Sequence, residues 1–329
     1  MNKRRKIIVA LGAAGLAAPL RTFAQQPTAK MHRIGFLGPT SAAGIASRLE
    51  AFRDGMRELG YVEGKNLFIE FRWAEGKYDR LPELAAELVR LNVDLIVTGS
   101  TPGVRAAKQA TTTIPIVMAS VGDPVASGLV ASLARPGGNI TGSTFFQPEL
   151  IAKRIELFKE AMPRLTQVAY LVNLDNTANT GPTLHAAEMA AKTLKVGLQP
   201  FPVRGPGDFD SAFAAMAKKR VDAVVIAEEP MLLANMSAII ELAIKRRLLS
   251  AGGKEFAEAG GLLGYGIDGS VPYRRAAYFI DRILKGTKPG DIPVERATRF
   301  ELIINLKTAK AIGIKIPPTL VQRADKVIE

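Results

Sequence analysis

Residues 120–142 read SVGDPVASGLVASLARPGGNITG. Two turns, Val121-Gly122-Asp123-Pro124 and Arg135-Pro136-Gly137-Gly138-Asn139, bracket a short apolar segment from Ser127 to Leu133. A β-branched run, Ile114 to Ser120, precedes the first turn, and Asn139 to Thr144 follows the second. Both runs read as strands. The residue before a proline is pushed out of the helical region, so Asp123-Pro124 forces a turn, and Pro124 is suited to open a helix. The expected product is a rigid strand end carrying one carboxylate, Asp123, beside free amides at a helix start. Such a strand end can form one wall of a cleft that holds a small polar ligand.

Outward from this stretch the chain alternates strand and helix. His32 to Leu37 reads as a strand, Arg48 to Leu59 as a helix ended by Gly60, and Asn66 to Trp73 as a strand. Tyr78 to Leu91 reads as a helix with Leu81, Leu84, Ala85 and Leu88 on one face. It is followed by a short buried strand, Val93 to Thr98, and a helix, Val104 to Ala110. The second half repeats the pattern. Helices are expected at Ile151 to Met162, Thr183 to Leu194 and Phe209 to Lys219, with strands at Gln167 to Leu174, Leu198 to Val203 and Asp222 to Ala227. Tyr78-Asp79 and Phe209-Asp210 each open a helix that ends just before a matching run, Val93-Asp94 or Val221-Asp222. Alternation of this kind implies parallel βαβ units. The fold class is α/β, with two Rossmann-like open parallel-sheet lobes. Phe300 to Ile304 and Leu306 to Ile312 read as a last strand and helix.

A length of 329 residues suits two ordinary domains, and 47% apolar with 23% charged residues describes a well-folded globular chain. At the N-terminus a basic head, Asn2 to Lys6, precedes an apolar run, Ile7 to Leu20, and then the small-residue site Thr22-Phe23-Ala24. That run is short for a membrane span, so residues 1–24 are expected to be an export signal cleaved near Ala24. Arg4-Arg5 leaves both the general and the twin-arginine route open. The formal charge of +13 falls to +8 once Lys3, Arg4, Arg5, Lys6 and Arg21 leave with the signal. The remaining basic residues are interleaved with acids, as in Arg53-Asp54, Arg57-Glu58, and Lys153-Arg154 near Glu156, and read as solvated helix faces. No clustered, aromatic-interleaved basic footprint for nucleic acid is present. The chain has no cysteine, which excludes disulfides, thiolate metal sites, thiol catalysis and lipidation on cysteine. An exported chain without such an anchor is expected in a periplasm.

In open parallel sheets ligands sit beyond the carboxyl ends of the strands. On the strand assignments this selects Thr40, Ser41, Ser100, Thr101 and Asp123 in the first half, and Asn173, Glu228, Tyr265 and Asp268 in the second. Hydroxyls and helix-start amides suit a carboxylate, and Asp123, Glu228 or Asp268 suits an ammonium group. The set points to an amino acid or a similar zwitterion. Taken singly, Ser100 and Thr101 have an alternative role as helix caps, and Asp123 as the holder of its own turn. His32 and His185 are the only histidines and have no metal-ligand neighbours at helical spacing, so both read as structural. No dinucleotide, Walker or nucleophile-elbow motif is present. No enzyme, cofactor or metal is therefore expected. Trp73 suits core or cleft, whereas Phe145 and Phe146 read as core.

Residues 123–142, together with RLPELAAELV at Arg80 to Val89 and NLKTAK at Asn305 to Lys310, resemble the ABC-transporter substrate-binding proteins of the tryptophan/tyrosine-binding type. The resemblance runs from about Met31 to Ile328. It implies a type I periplasmic binding fold: two lobes joined by crossover strands, with a ligand trapped between them. Lobe one would comprise residues 31–143 and 270–298, and lobe two residues 144–269 and 299–329. The segments Gly142 to Gln147 and Asp268 to Pro272 would act as hinges. It also implies an inner-membrane permease with its ATPase as partners and a small organic ligand, amino-acid-like or aromatic. The protein is expected to work as a monomer. An exported sensor presenting its solute to a membrane receptor would share the same fold and is the alternative.

Overall fold

The computed structural model describes residues 30–329, and the expected export signal lies outside them. Strands β1 (His32–Gly38), β2 (Leu67–Trp73), β3 (Leu95–Thr98), β4 (Ile116–Val121) and β5 (Ile140–Thr144) lie in a first sheet. Strands β6 (Gln167–Asn173), β7 (Gly197–Val203), β8 (Ala223–Ile226), β9 (Leu249–Gly252) and β10 (Leu263–Gly266) lie in a second. A short β11 (Glu295–Arg296) returns to the edge of the first sheet, and β12 (Glu301–Asn305) and β13 (Lys326–Ile328) complete the second. The strand orders are β11-β5-β4-β3-β1-β2 and β13-β12-β10-β9-β8-β6-β7. All pairings are parallel except β10 with β12. The fold is therefore two α/β lobes on two largely parallel sheets. The chain passes between the sheets at 145–146, 267–269 and 297–300.

In chain order the helices are α1 (Ala46–Glu58), α2 (Leu81–Arg90), α3 (Thr101–Ala110), α4 (Gln147–Ala161), α5 (Thr177–Thr193), α6 (Phe209–Lys218), α7 (Pro230–Ala234), α8 (Met236–Lys245), α9 (Lys254–Glu258), α10 (Ser270–Leu284), α11 (Leu306–Ile312) and α12 (Pro318–Val321). The apolar stripe of α2 (Leu81, Leu84, Ala85, Leu88) is buried, as its spacing requires. Each fully buried leucine contributes about 1.5–3 kcal/mol relative to exposure. The opposite face of the first sheet is covered by α1 and α10, through Phe52, Met56, Ala276, Phe279 and Ile280. Although α10 follows the second lobe in sequence, it packs on the first.

Several expectations are corrected. Pro124 opens no helix: residues 124–128 form turns, and the Asp123 carboxylate accepts from the Val125 and Ala126 amides at 3.0 and 2.9 Å. The amides expected to be free are thus taken by the aspartate beside them. Helix α4 begins at Gln147 rather than Ile151, because Phe146 in a left-handed conformation (φ 51°) turns the chain directly into it. Arg154 does not belong to a solvated face; its side chain is fully buried. Phe145 and Phe146 are half-buried at the crossing rather than core, and the Arg296 guanidinium lies over the Phe146 ring at 4.4 Å. Trp73 is half-buried and stacks on Phe71, with ring centres 5.8 Å apart.

Candidate functional site

The carboxyl ends of both sheets meet across one cleft. Towards its outer end, Lys77, Tyr78, Asp79 and Arg105 of the first lobe face Asp175 and Arg204 of the second around a space of about 830 Å³. At the crossover end, a second space of about 460 Å³ is lined by Ser143 and Thr144 with Asp268, Arg275, Arg296 and Arg299. Between them lies an inner cavity of about 40 Å³, lined by Arg48, Gly99 and Ser120 from the first lobe. Glu228, Glu229, Leu233 and Glu255 line it from the second, and Phe145, Ile267 and Gly269 from the crossings. That volume holds about three water molecules. A solute larger than this enters only when the lobes part.

Charged groups of opposite sign reach the inner cavity from opposite lobes. Arg48 projects from α1 and stands 3.7 Å from Glu255 Oε1, and its charge opposes the rise that burial imposes on the pKa of nearby Tyr273. Tyr273 lies so close to Gly99 that a Cβ there would sit 1.9 Å from the hydroxyl oxygen, so only glycine fits. Glu255 Oε1 in turn accepts from the Gly269 amide at 2.9 Å. Across the cavity Glu228 Oε1 accepts from Arg154 Nη2 at 2.8 Å, while Glu228 Oε2 is buried without a partner among the described residues.

Glu229 next to it is almost wholly buried and satisfied. Its Oε1 accepts from the Leu232 amide at 2.6 Å, capping α7. Its Oε2 accepts from Asn173 Nδ2 at 3.0 Å and from the Tyr78 hydroxyl at 2.8 Å. Burial pushes the pKa of Glu229 up, against the opposing effect of those three bonds. Burial and then the neighbouring Glu229 push that of Tyr78 up as well. Tyr78 belongs to the first lobe and Glu229 to the second, so their bond closes the wall between the outer space and the inner cavity.

The residues selected from the sequence are placed as follows. Glu228 lines the inner cavity, and Asn173 reaches it through Glu229. Asp268 lies at the crossover end. Burial opposes its ionisation, but bonds from the Ser270 hydroxyl and amide and from Lys254 outweigh this and hold its pKa below the usual range. Tyr265 offers its carbonyl to Arg154, and its ring stacks on Phe300 with centres 6.0 Å apart. Thr40 is buried in the turn after β1, and Ser41 Oγ accepts from the Gly44 amide of that turn. Ser100 Oγ accepts from the Gly103 amide and caps α3, Thr101 is buried in its first turn, and Asp123 serves its own turn. Arg48, Tyr78 and Arg154 were not selected. A signal for Arg154 was present, since it falls on the buried stripe Gln147, Leu150, Ile151, Ile155 and Phe158 of α4. Nothing in local sequence marked Arg48. Among the described residues no cluster could hold a metal ion, and no helix is long and apolar enough to cross a membrane.

The profile of the family described as ABC transporter substrate binding protein matches residues 33–328. This chain belongs to that family. It is the solute-binding component of an ABC transporter, a ligand-binding transport protein rather than an enzyme, and such components work outside the cytoplasmic membrane. A tyrosine-binding protein of Clostridioides difficile (strain R20291) is 27% identical over 287 residues, covering 87% of this chain and 82% of the relative. A conserved domain protein of Vibrio cholerae O1 biovar El Tor superposes with a TM-score of 0.85 at 27% identity, over 91% of this chain and 100% of the other. An ABC domain from Streptococcus pneumonia in complex with L-Trp gives a TM-score of 0.82 at 25% identity, with the same coverage.

Proposed function

We propose that this substrate-binding protein captures an amino-acid-like or aromatic solute in the inner cavity and delivers it to an inner-membrane permease with its ATPase. One observation carries the reading: Arg48 from one lobe and Glu228 from the other face the same cavity. Once the lobes part enough to widen the cavity, a zwitterion suits this arrangement, its carboxylate towards Arg48 and Ser120, its ammonium towards Glu228 Oε2, and an aromatic side chain against Phe145. The relatives that bind tyrosine and tryptophan support the same class. A solute touching both lobes favours closure only by its differential affinity for the closed form, and reversing a 1:99 balance takes about 5.5 kcal/mol of it. Charge-assisted hydrogen bonds from both sides in a desolvated cavity are the strong kind such a difference needs. The lobes divide at the crossings, the first of them one residue beyond the expected 143/144 because Thr144 still pairs with Val121 in the first sheet, and the exported, monomeric protein works in a periplasm after cleavage near Ala24.

The test is a thermal-shift screen of the mature chain against amino acids and aromatic acids. A solute at 100 times its dissociation constant adds about 2.7 kcal/mol of stability. If no member of these classes raises the melting temperature, the ligand assignment fails.

A further inference from the structure

Arg154 lies beneath the inner cavity, on α4, a few residues after the crossing at 145–146. Its side chain is fully buried. Nε and Nη2 donate to the Tyr265 carbonyl at 3.0 and 2.6 Å, and Nη2 also donates to Glu228 Oε1 at 2.8 Å. Tyr265 lies on β10, just before the crossing at 267–269. Two polar atoms of the pair, Arg154 Nη1 and Glu228 Oε2, are buried without partners among the described residues. Neighbouring glycines leave room for the pair: a Cβ at Gly253 would sit 2.4 Å from Glu228 Oε1, and one at Gly266 3.3 Å from Arg154 Nη2.

A buried ion pair adds little stability over apolar residues of the same volume, because desolvation offsets the attraction. Its place against the cavity wall, with one carboxylate oxygen held and the other free, has a different consequence. We propose that Arg154 is the positioning residue of the binding cavity. By fixing Oε1 it presents Glu228 Oε2 to the ammonium group of the solute, and so makes the cavity selective for amines. The planar guanidinium joins α4, behind the first crossing, to β10, ahead of the second, so Glu228 is held in register with both. A lysine, lacking the fork, reproduces the charge but not the double grip. The inference rests on the reading that the solute carries an amine.

The experiment compares three probes, L-tyrosine, tyramine and hydroxyphenylpropionate, the last lacking the amine, on the wild type and on Arg154→Met, Arg154→Lys and Glu228→Gln. Arg154→Met and Glu228→Gln are expected to weaken the two amines about 10- to 100-fold, the worth of a charged hydrogen bond, and to leave hydroxyphenylpropionate unchanged. Arg154→Lys recovers part of the loss for the amines alone. Equal weakening of all three probes by Arg154→Met means a purely structural arginine and overturns the proposal. Should Arg154→Met fail to fold, Arg154→Lys against Glu228→Gln carries the same comparison. If the wild type binds none of the probes, the amine reading falls by itself, and a crystal structure of the Arg154 variant decides the positioning role. A Glu228 carboxylate that stays in place overturns it, and a displaced one supports it.

Discussion

The Tyr78 hydroxyl donates to Glu229 Oε2 across the cleft at 2.8 Å, joining residues 151 positions apart on opposite lobes. Glu229 keeps its bonds to Asn173 and to the Leu232 amide whatever the lobes do, because both lie in its own lobe. Only the Tyr78 bond depends on closure, so it acts as a latch.

Replacing Tyr78 by phenylalanine removes the latch while keeping the ring. The closed form should lose about 1 kcal/mol, a typical hydrogen-bond contribution, which corresponds to several-fold weaker solute binding. Small-angle scattering of the solute-free variant should show a more open particle than the wild type. Identical scattering and affinity would mean that the bond contributes nothing to closure.

The raised pKa of Glu229 has a pH signature. A carboxyl whose folded pKa lies above its ordinary 4.5 holds its proton more tightly when folded. Its stabilising contribution is therefore fully present below pH 4.5 and is lost as pH rises through the raised value. Glu229→Gln, neutral at every pH, should flatten that part of the profile. Urea unfolding of both proteins across this range checks it, and parallel profiles would contradict the assignment.

Tyr61 donates to Asp281 Oδ1 at 3.0 Å, tying the loop after α1 to α10. Burial first, and then Asp281, push its pKa from 10 up to about 12. The corresponding stability is present below pH 10 and lost as pH climbs through about 12. Tyr61→Phe should cost about 1 kcal/mol near neutrality. An ultraviolet pH titration should lose the tyrosine that ionises at about 12 in that variant; an unchanged curve would refute the attribution.

Gly99→Ala drives a methyl group to 1.9 Å from the Tyr273 hydroxyl, so the ring must shift beside the cavity that Gly99 and Arg48 both line. Overpacking of this kind costs about 1–3 kcal/mol. Calorimetry should find weaker solute binding together with lower stability; wild-type affinity in a destabilised protein would separate Gly99 from the site.

Sequence periodicity by itself determined the alternating α/β order and the α2 stripe, because both depend on spacings between near neighbours in the chain. It also selected the correct end of the sheets, since parallel strands place every loop of interest at their carboxyl ends. It did not determine which polar groups there remain available. Ser100 and Asp123 find backbone amides within three residues of themselves, and such local bonds form whether or not a ligand exists. Arg48, Tyr78 and Arg154 reach the cleft from helical segments, through packing between residues as much as 151 positions apart. The opening stretch around Asp123 leads into the first crossing. The charged pair that faces the cavity was decided by tertiary structure, because only lobe-on-lobe packing brings Arg48 opposite Glu228.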